Sequence, residues 1–92
     1  MTPKKFQKII AEKMPDLPFD ERLALFSLEI IVYSTELSSK LSGHLYRKKS
    51  IRKRQMMKKM AKIILAISSI CTLLHIDLDD VMKDAIDDAN NE

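Results

Sequence analysis

The stretch ERLALFSLEIIVYSTELSSKLSG, residues 21–43, decides the fold. Leu23, Phe26, Ile30, Tyr33, Leu37 and Leu41 recur every three or four residues, the spacing of one helical face. Leu28, Ile31 and Val32 widen that stripe, so more than one partner helix is expected on this element. Gly43 is the only glycine in the chain, and it is expected to stop the helix. A single glycine also excludes phosphate-binding loops, and it cannot supply the turns of most all-β folds.

Three further helices fit around this one. Thr2 can cap a first helix, with Pro3 at the favoured first position and Phe6, Ile9 and Ile10 on one side. It is expected over about 3–14, closed by Pro15 and Pro18. Asp16 or Asp20 is expected to cap the second helix, about 21–42. His44 to Lys49 reads as a connection, and Ser50 as the cap of a third helix, about 51–74. Met56, Met60, Ile63, Ile67, Ile70 and Leu74 form its stripe. Asp77 and Asp80 resemble a capping box for a fourth helix, about 78–89, with Asn90, Asn91 and Glu92 fraying. Its apolar face is Leu78, Val81, Met82, Ala85, Ile86 and Ala89.

The expected fold class is therefore all-α: a four-helix bundle in one domain over 1–92. Two long antiparallel helices, each about 33–36 Å, have two shorter ones packed across them. With 92 residues, folding would bury roughly 60–65% of the extended-chain surface, so the core is thin. The apolar run Ile63–Leu74 is too short for a membrane span and reads as core. One cysteine excludes an intramolecular disulfide framework, and a reduced, cytoplasmic setting is expected.

The net charge of +3 conceals segregation. Residues 47–62 hold nine cations and no acid: Arg47, Lys48, Lys49, Arg52, Lys53, Arg54, Lys58, Lys59 and Lys62. Residues 77–92 hold seven acids and one lysine, Lys83. The basic block is a candidate anion-binding face for an acidic protein surface or for nucleic acid. It can equally be a solvated face, or one paired with the acidic fourth helix of the same or a neighbouring chain. No aromatic lies within the block, so single strands have no stacking platform there. The acids suit a helix N-terminus and solubility, and Asp77-x-Asp79-Asp80 lacks the glycine and distal glutamate of a calcium loop.

Other reactive residue types have structural readings. His44 and His75 have no third group for a triad or metal site. Cys71 sits in the apolar run, where a thiol is inert. Ser68 and Ser69 suit bonding back to the helix or close helix packing. Met56, Met57 and Met60 at helical spacing read as core.

Lys58-Lys59-Met60-Ala61-Lys62-Ile63-Ile64-Leu65-Ala66-Ile67, followed by Leu74-His75-Ile76-Asp77-Leu78-Asp79-Asp80-Val81, resembles the C-terminal half of the MazG-like all-α nucleotide pyrophosphohydrolases. The resemblance covers about 40 residues well and the second helix loosely. It implies a magnesium site built from an EExxE motif on the second helix and an ExxD motif on the third. Magnesium requires such hard oxygen ligands. Here the ExxD positions align with Lys59 and Lys62, and the second helix offers only Glu29 and Glu36. The resemblance thus implies a degenerate metal site, no cofactor, and a scaffold without the activity. Either glutamate can pair with either lysine, a tethered ammonium replacing the lost ion. The resemblance also implies assembly through the long helices, so a homo-oligomer, most simply a dimer, is expected. Magnesium-dependent nucleoside triphosphate hydrolysis with displaced ligands, Glu29 and Glu36 converging with Asp77 or Asp80, is the enzymatic alternative.

Overall fold

The computed structural model describes residues 1–91. They form an all-α bundle of two longer and two shorter helices: α1 (Pro3–Glu12), α2 (Phe19–Arg47), α3 (Lys53–Leu73) and α4 (Leu78–Asn90). No helix among these residues is long and apolar enough to cross a membrane.

The start of α1 follows its sequence signal. The Thr2 hydroxyl accepts the Lys5 N–H at 3.2 Å, and Pro3 occupies the first turn. The helix ends at Glu12, two residues early, because Met14 precedes a proline and is steered out of helical geometry. At α2 neither Asp16 nor Asp20 caps the chain; Pro18 holds that position without a side-chain bond. Asp20 and Glu21 lie instead in the first turn, where their charges oppose the helix dipole.

Gly43 does not stop α2. Glycine costs a helix interior only about 1 kcal/mol, and the hydrogen-bonded residues from His44 to Arg47 continue the helix past it. Gly43 does not have positive φ, and a Cβ there would meet only the Lys49 side chain, at 3.6 Å. The helix ends where Lys48 turns left-handed at φ 53°. The Lys49 N–H returns to the Gly43 carbonyl at 3.2 Å, and His44 Nδ1–H donates to the Lys49 carbonyl at 2.8 Å. His44 therefore closes a helix end.

The connection to α3 is short. Ser50 falls within it and caps nothing; Arg52 takes the cap position, with no side-chain bond. Beyond it, α3 closes with paired bonds around a left-handed His75, φ 56°. The Ile76 N–H reaches the Cys71 carbonyl at 2.8 Å, and the His75 N–H reaches Thr72 at 3.3 Å.

The capping box expected at α4 does not form, since the Asp77 side chain makes no cap bond. Gln7 of α1 replaces it. Its Oε1 accepts the Leu78 N–H at 2.9 Å, and its Nε2 donates to the Ile76 carbonyl at 2.9 Å and the Thr72 hydroxyl at 3.5 Å. One side chain thus binds the end of α3 to the start of α4. Asn90 belongs to α4, Asn91 caps its end, and Glu92 lies outside the described residues.

Three cross-links set how α2 and α3 pair: Lys40 with Gln55, Glu36 with Lys59, and Tyr33 with Lys62. Each step forward on α3 matches an equal step back on α2, so the two are antiparallel. The small residues Ala66, Ser68 and Ser69 are buried on α3 with Cys71 and Met56; Ile10, Phe26 and Leu78 join them from the other helices. Ser69 bonds back to the Leu65 carbonyl at 2.7 Å; the fully buried Ser68 hydroxyl has no such bond. Met57 and Met60, read as core, are exposed, as are Ile64, Leu65 and Ile67.

The short helices do not lie across the pair. Both α1 and α4 pack on α3 and on each other, and α2 touches α3 alone. Among the described residues α2 finds no second partner helix, and Leu28, Ile31 and Val32 are exposed.

Removing the Gln7 clamp should be costly for a half-exposed residue. Gln7→Ala should lose about 1–2 kcal/mol in urea unfolding, from two good hydrogen bonds. A loss indistinguishable from that of Lys8→Ala would show that Gln7 does not join the three helices.

Candidate functional site

Two regions gather the charged residues singled out by the sequence. The first is the seam between α2 and α3. One turn of α2 presents Tyr33 and Glu36, and one turn of α3 presents Lys59 and Lys62. The Lys59 ammonium pairs with the Glu36 carboxylate, the ion pair found among the described residues. Lys62 Nζ lies 5.0 Å from the centroid of the Tyr33 ring, and Lys59 Nζ lies 5.8 Å from it. Both ammonium groups are thus within range of the ring's negative face.

These side chains stay partly wet: Lys59 is 27% exposed and Glu36 is 41% exposed. Solvent therefore holds the pair to the range of surface salt bridges, up to about 1 kcal/mol. Its larger consequence is positional. It fixes the facing turns of the two long helices and occupies the Glu36 carboxylate with a cation carried by the chain itself. Glu29, one helical turn before Tyr33, joins no ion pair. Among the described residues, no three His, Cys, Asp or Glu side chains converge as a metal would need. Of the pairings open to Glu29, Glu36, Lys59 and Lys62, the structure forms Glu36 with Lys59, while Lys62 engages Tyr33. By spacing Tyr33 belongs to the apolar stripe of α2; its position opposite Lys62 follows from the antiparallel register.

The second region is a cleft of about 740 Å³ at the turn between α2 and α3. Arg47, Lys48, Lys49 and Arg52 line it together with Lys40 of α2, and no acid does. Buried Gly43 contributes to its wall without a side chain. Arg52 supplies no acceptor, so the first N–H groups of α3 at this end are left without a side-chain cap. The helix dipole adds positive potential at the same place. Lys40 Nζ is held by Gln55 Oε1 at 3.1 Å. Lys40 escaped the sequence reading because it precedes the basic run by a full two turns of helix.

The nine-cation block is thus divided by the fold. Arg47, Lys48, Lys49 and Arg52 face the cleft, Lys59 and Lys62 serve the seam, and Lys53, Arg54 and Lys58 are exposed along α3. The acidic α4 makes no ion pair with this block within the described chain. Cys71 is buried, and desolvation pushes its thiol up from the ordinary value despite an opposing backbone hydrogen bond. It is held as an inert thiol.

A double-mutant cycle on Glu36→Gln and Lys59→Gln should give a coupling of about 0.5–1 kcal/mol in favour of the pair, weakening in high salt. A coupling of zero at low salt would show that the ion pair does not hold the seam in solution.

Compared with protein-family models, with curated proteins and with solved structures, the chain matches none of them.

Proposed function

We propose that this chain is a non-catalytic, regulatory binding protein, a MazG-like scaffold whose metal-binding acids have been replaced. It works in a cytoplasmic setting as a homodimer and docks on an acidic protein surface through its basic face. The observation that carries this reading is the cleft formed by Lys40, Arg47, Lys48, Lys49 and Arg52, free of acids. Cations gathered in a concave surface focus potential and attract a carboxylate-rich partner. Lys53, Arg54 and Lys58 extend the field along α3. The Glu36–Lys59 pair supports the loss of metal chemistry, since a bound ammonium stands where the resemblance implies magnesium. No cofactor enters this reading.

Nucleic acid is the second reading. Tyr46 favours it: its ring is 83% exposed and directly precedes Arg47 of the cleft. An exposed aromatic beside cations can stack a base.

Fluorescence anisotropy distinguishes the two, using a labelled oligo-glutamate peptide and labelled single- and double-stranded oligonucleotides at low and physiological salt. The peptide should bind, and Lys48→Glu with Arg52→Glu should weaken it roughly tenfold or more while helix content is unchanged. Selective binding of the oligonucleotides would replace the first reading with the second. No binding of any probe at low salt would remove both.

A further inference from the structure

We infer that the dimer is built on the solvent face of α2, with two copies of that helix packed antiparallel about a two-fold axis near Ile31. This assignment rests on the dimeric reading proposed above and supplies its surface.

The chain exposes more area than a self-sufficient monomer does. Its accessible surface is 7249 Å², against about 5,500 Å² expected for a folded monomer of 10.6 kDa. Its radius of gyration is 15.3 Å, where about 12 Å is expected. The excess area, about 1,800 Å², is more than the roughly 800 Å² that each partner of a stable complex buries.

Three apolar faces contribute to that excess, and charge decides among them. A two-fold interface brings a surface against its own copy, so the surface must be self-complementary. Met57, Met60, Ile64 and Ile67 form an exposed stripe on α3, but Lys53, Arg54 and Lys58 accompany it. Two copies meeting there would bring cations together. Val81, Met82 and Ile86 on α4 are flanked by aspartates, with the same objection. The face on α2 has neither sign. Between Leu23 and Ser39 the charged residues are Glu29 and Glu36 alone, and both are half-buried. Every exposed position in that stretch is apolar or neutral, in a chain that is 32% charged. Leu28, Ile31 and Val32 stand there at 59%, 61% and 49% exposure, with small serines and Thr35 between them to admit a facing helix. The uncharged face spans about 25 Å.

Charge at the ends of α2 selects the antiparallel arrangement. Asp16, Asp20 and Glu21 outweigh Arg22 at its start, and Arg47, Lys48 and Lys49 mark its end. Antiparallel copies set the acidic start of each beside the basic end of the other; parallel copies would set the basic ends together. The two clefts then lie at opposite ends of the dimer, about 40 Å apart by helix rise.

Light scattering on size-exclusion peaks tests this with the full chain. The wild type should run at twice the 10.6 kDa chain mass. Ile31→Asp should raise the dimer dissociation constant roughly thirtyfold or more with helix content retained, as truncating an interface centre does. Met60→Asp should leave the dimer intact. In a Cys71→Ala background, Ile31→Cys should oxidise to a disulfide-linked dimer, and Ile67→Cys should not. A wild type at the mass of one chain would overturn the dimeric reading itself. A wild-type dimer that survives Ile31→Asp, or dissociates with Met60→Asp instead, would overturn this face and leave the dimeric reading standing.

Discussion

The rest of the structure depends on the register at which α2 and α3 pack. Lys40 with Gln55, Glu36 with Lys59 and Tyr33 with Lys62 fix that register at successive turns. None of these contacts is strong singly, because each is partly open to water. Together they determine which residues face inward. A shift of one turn would unpair Glu36, withdraw Lys62 from the Tyr33 ring and misplace the residues around the hairpin turn. The basic cleft exists because this register brings the end of α2 and the start of α3 level with each other.

The placing of α1 and α4 comes from a different kind of constraint. Gln7 uses both ends of its amide to join α1, the close of α3 and the opening of α4. That clamp gathers the short helices onto α3 and leaves α2 with a single neighbour. The thin core and the large exposed apolar area follow directly from this asymmetry. With α3 as its one partner among the described residues, α2 leaves an uncharged apolar outer face exposed.

Much of this was legible from local chemistry. Thr2 and Pro3 marked the start of α1, and the three-to-four spacing of apolar residues identified all four helices. The width of the α2 stripe leads to the expectation of a second partner helix, which the described residues do not supply. The failures have two causes: contacts with residues far along the chain, and helix ends closed by their own neighbouring backbone. Asp77 has the chemistry of a cap, but the Asp80 N–H goes to the Asp77 backbone carbonyl, and the first N–H of α4, that of Leu78, is served by Gln7 of α1. Gly43 has the chemistry of a stop, yet the helix continues, and His44 closes the turn with Lys49 beyond it. Ser50 was displaced by the geometry needed to reverse the chain. Lys40 reaches the cleft, and Tyr33 the seam, through the antiparallel register, which no local pattern carries.

The same register bears on function. It sets Lys59 on Glu36, so the chain carries its own cation where the resemblance implies a magnesium ion. On the proposed reading, the Lys59 ammonium takes the place of a metal at Glu36, and the chain binds without catalysing. The most direct test of that reading is a panel of nucleoside triphosphates assayed for pyrophosphate release with and without magnesium. The account predicts no magnesium-dependent release above the uncatalysed rate. Turnover that requires magnesium and disappears in Glu36→Gln would contradict it.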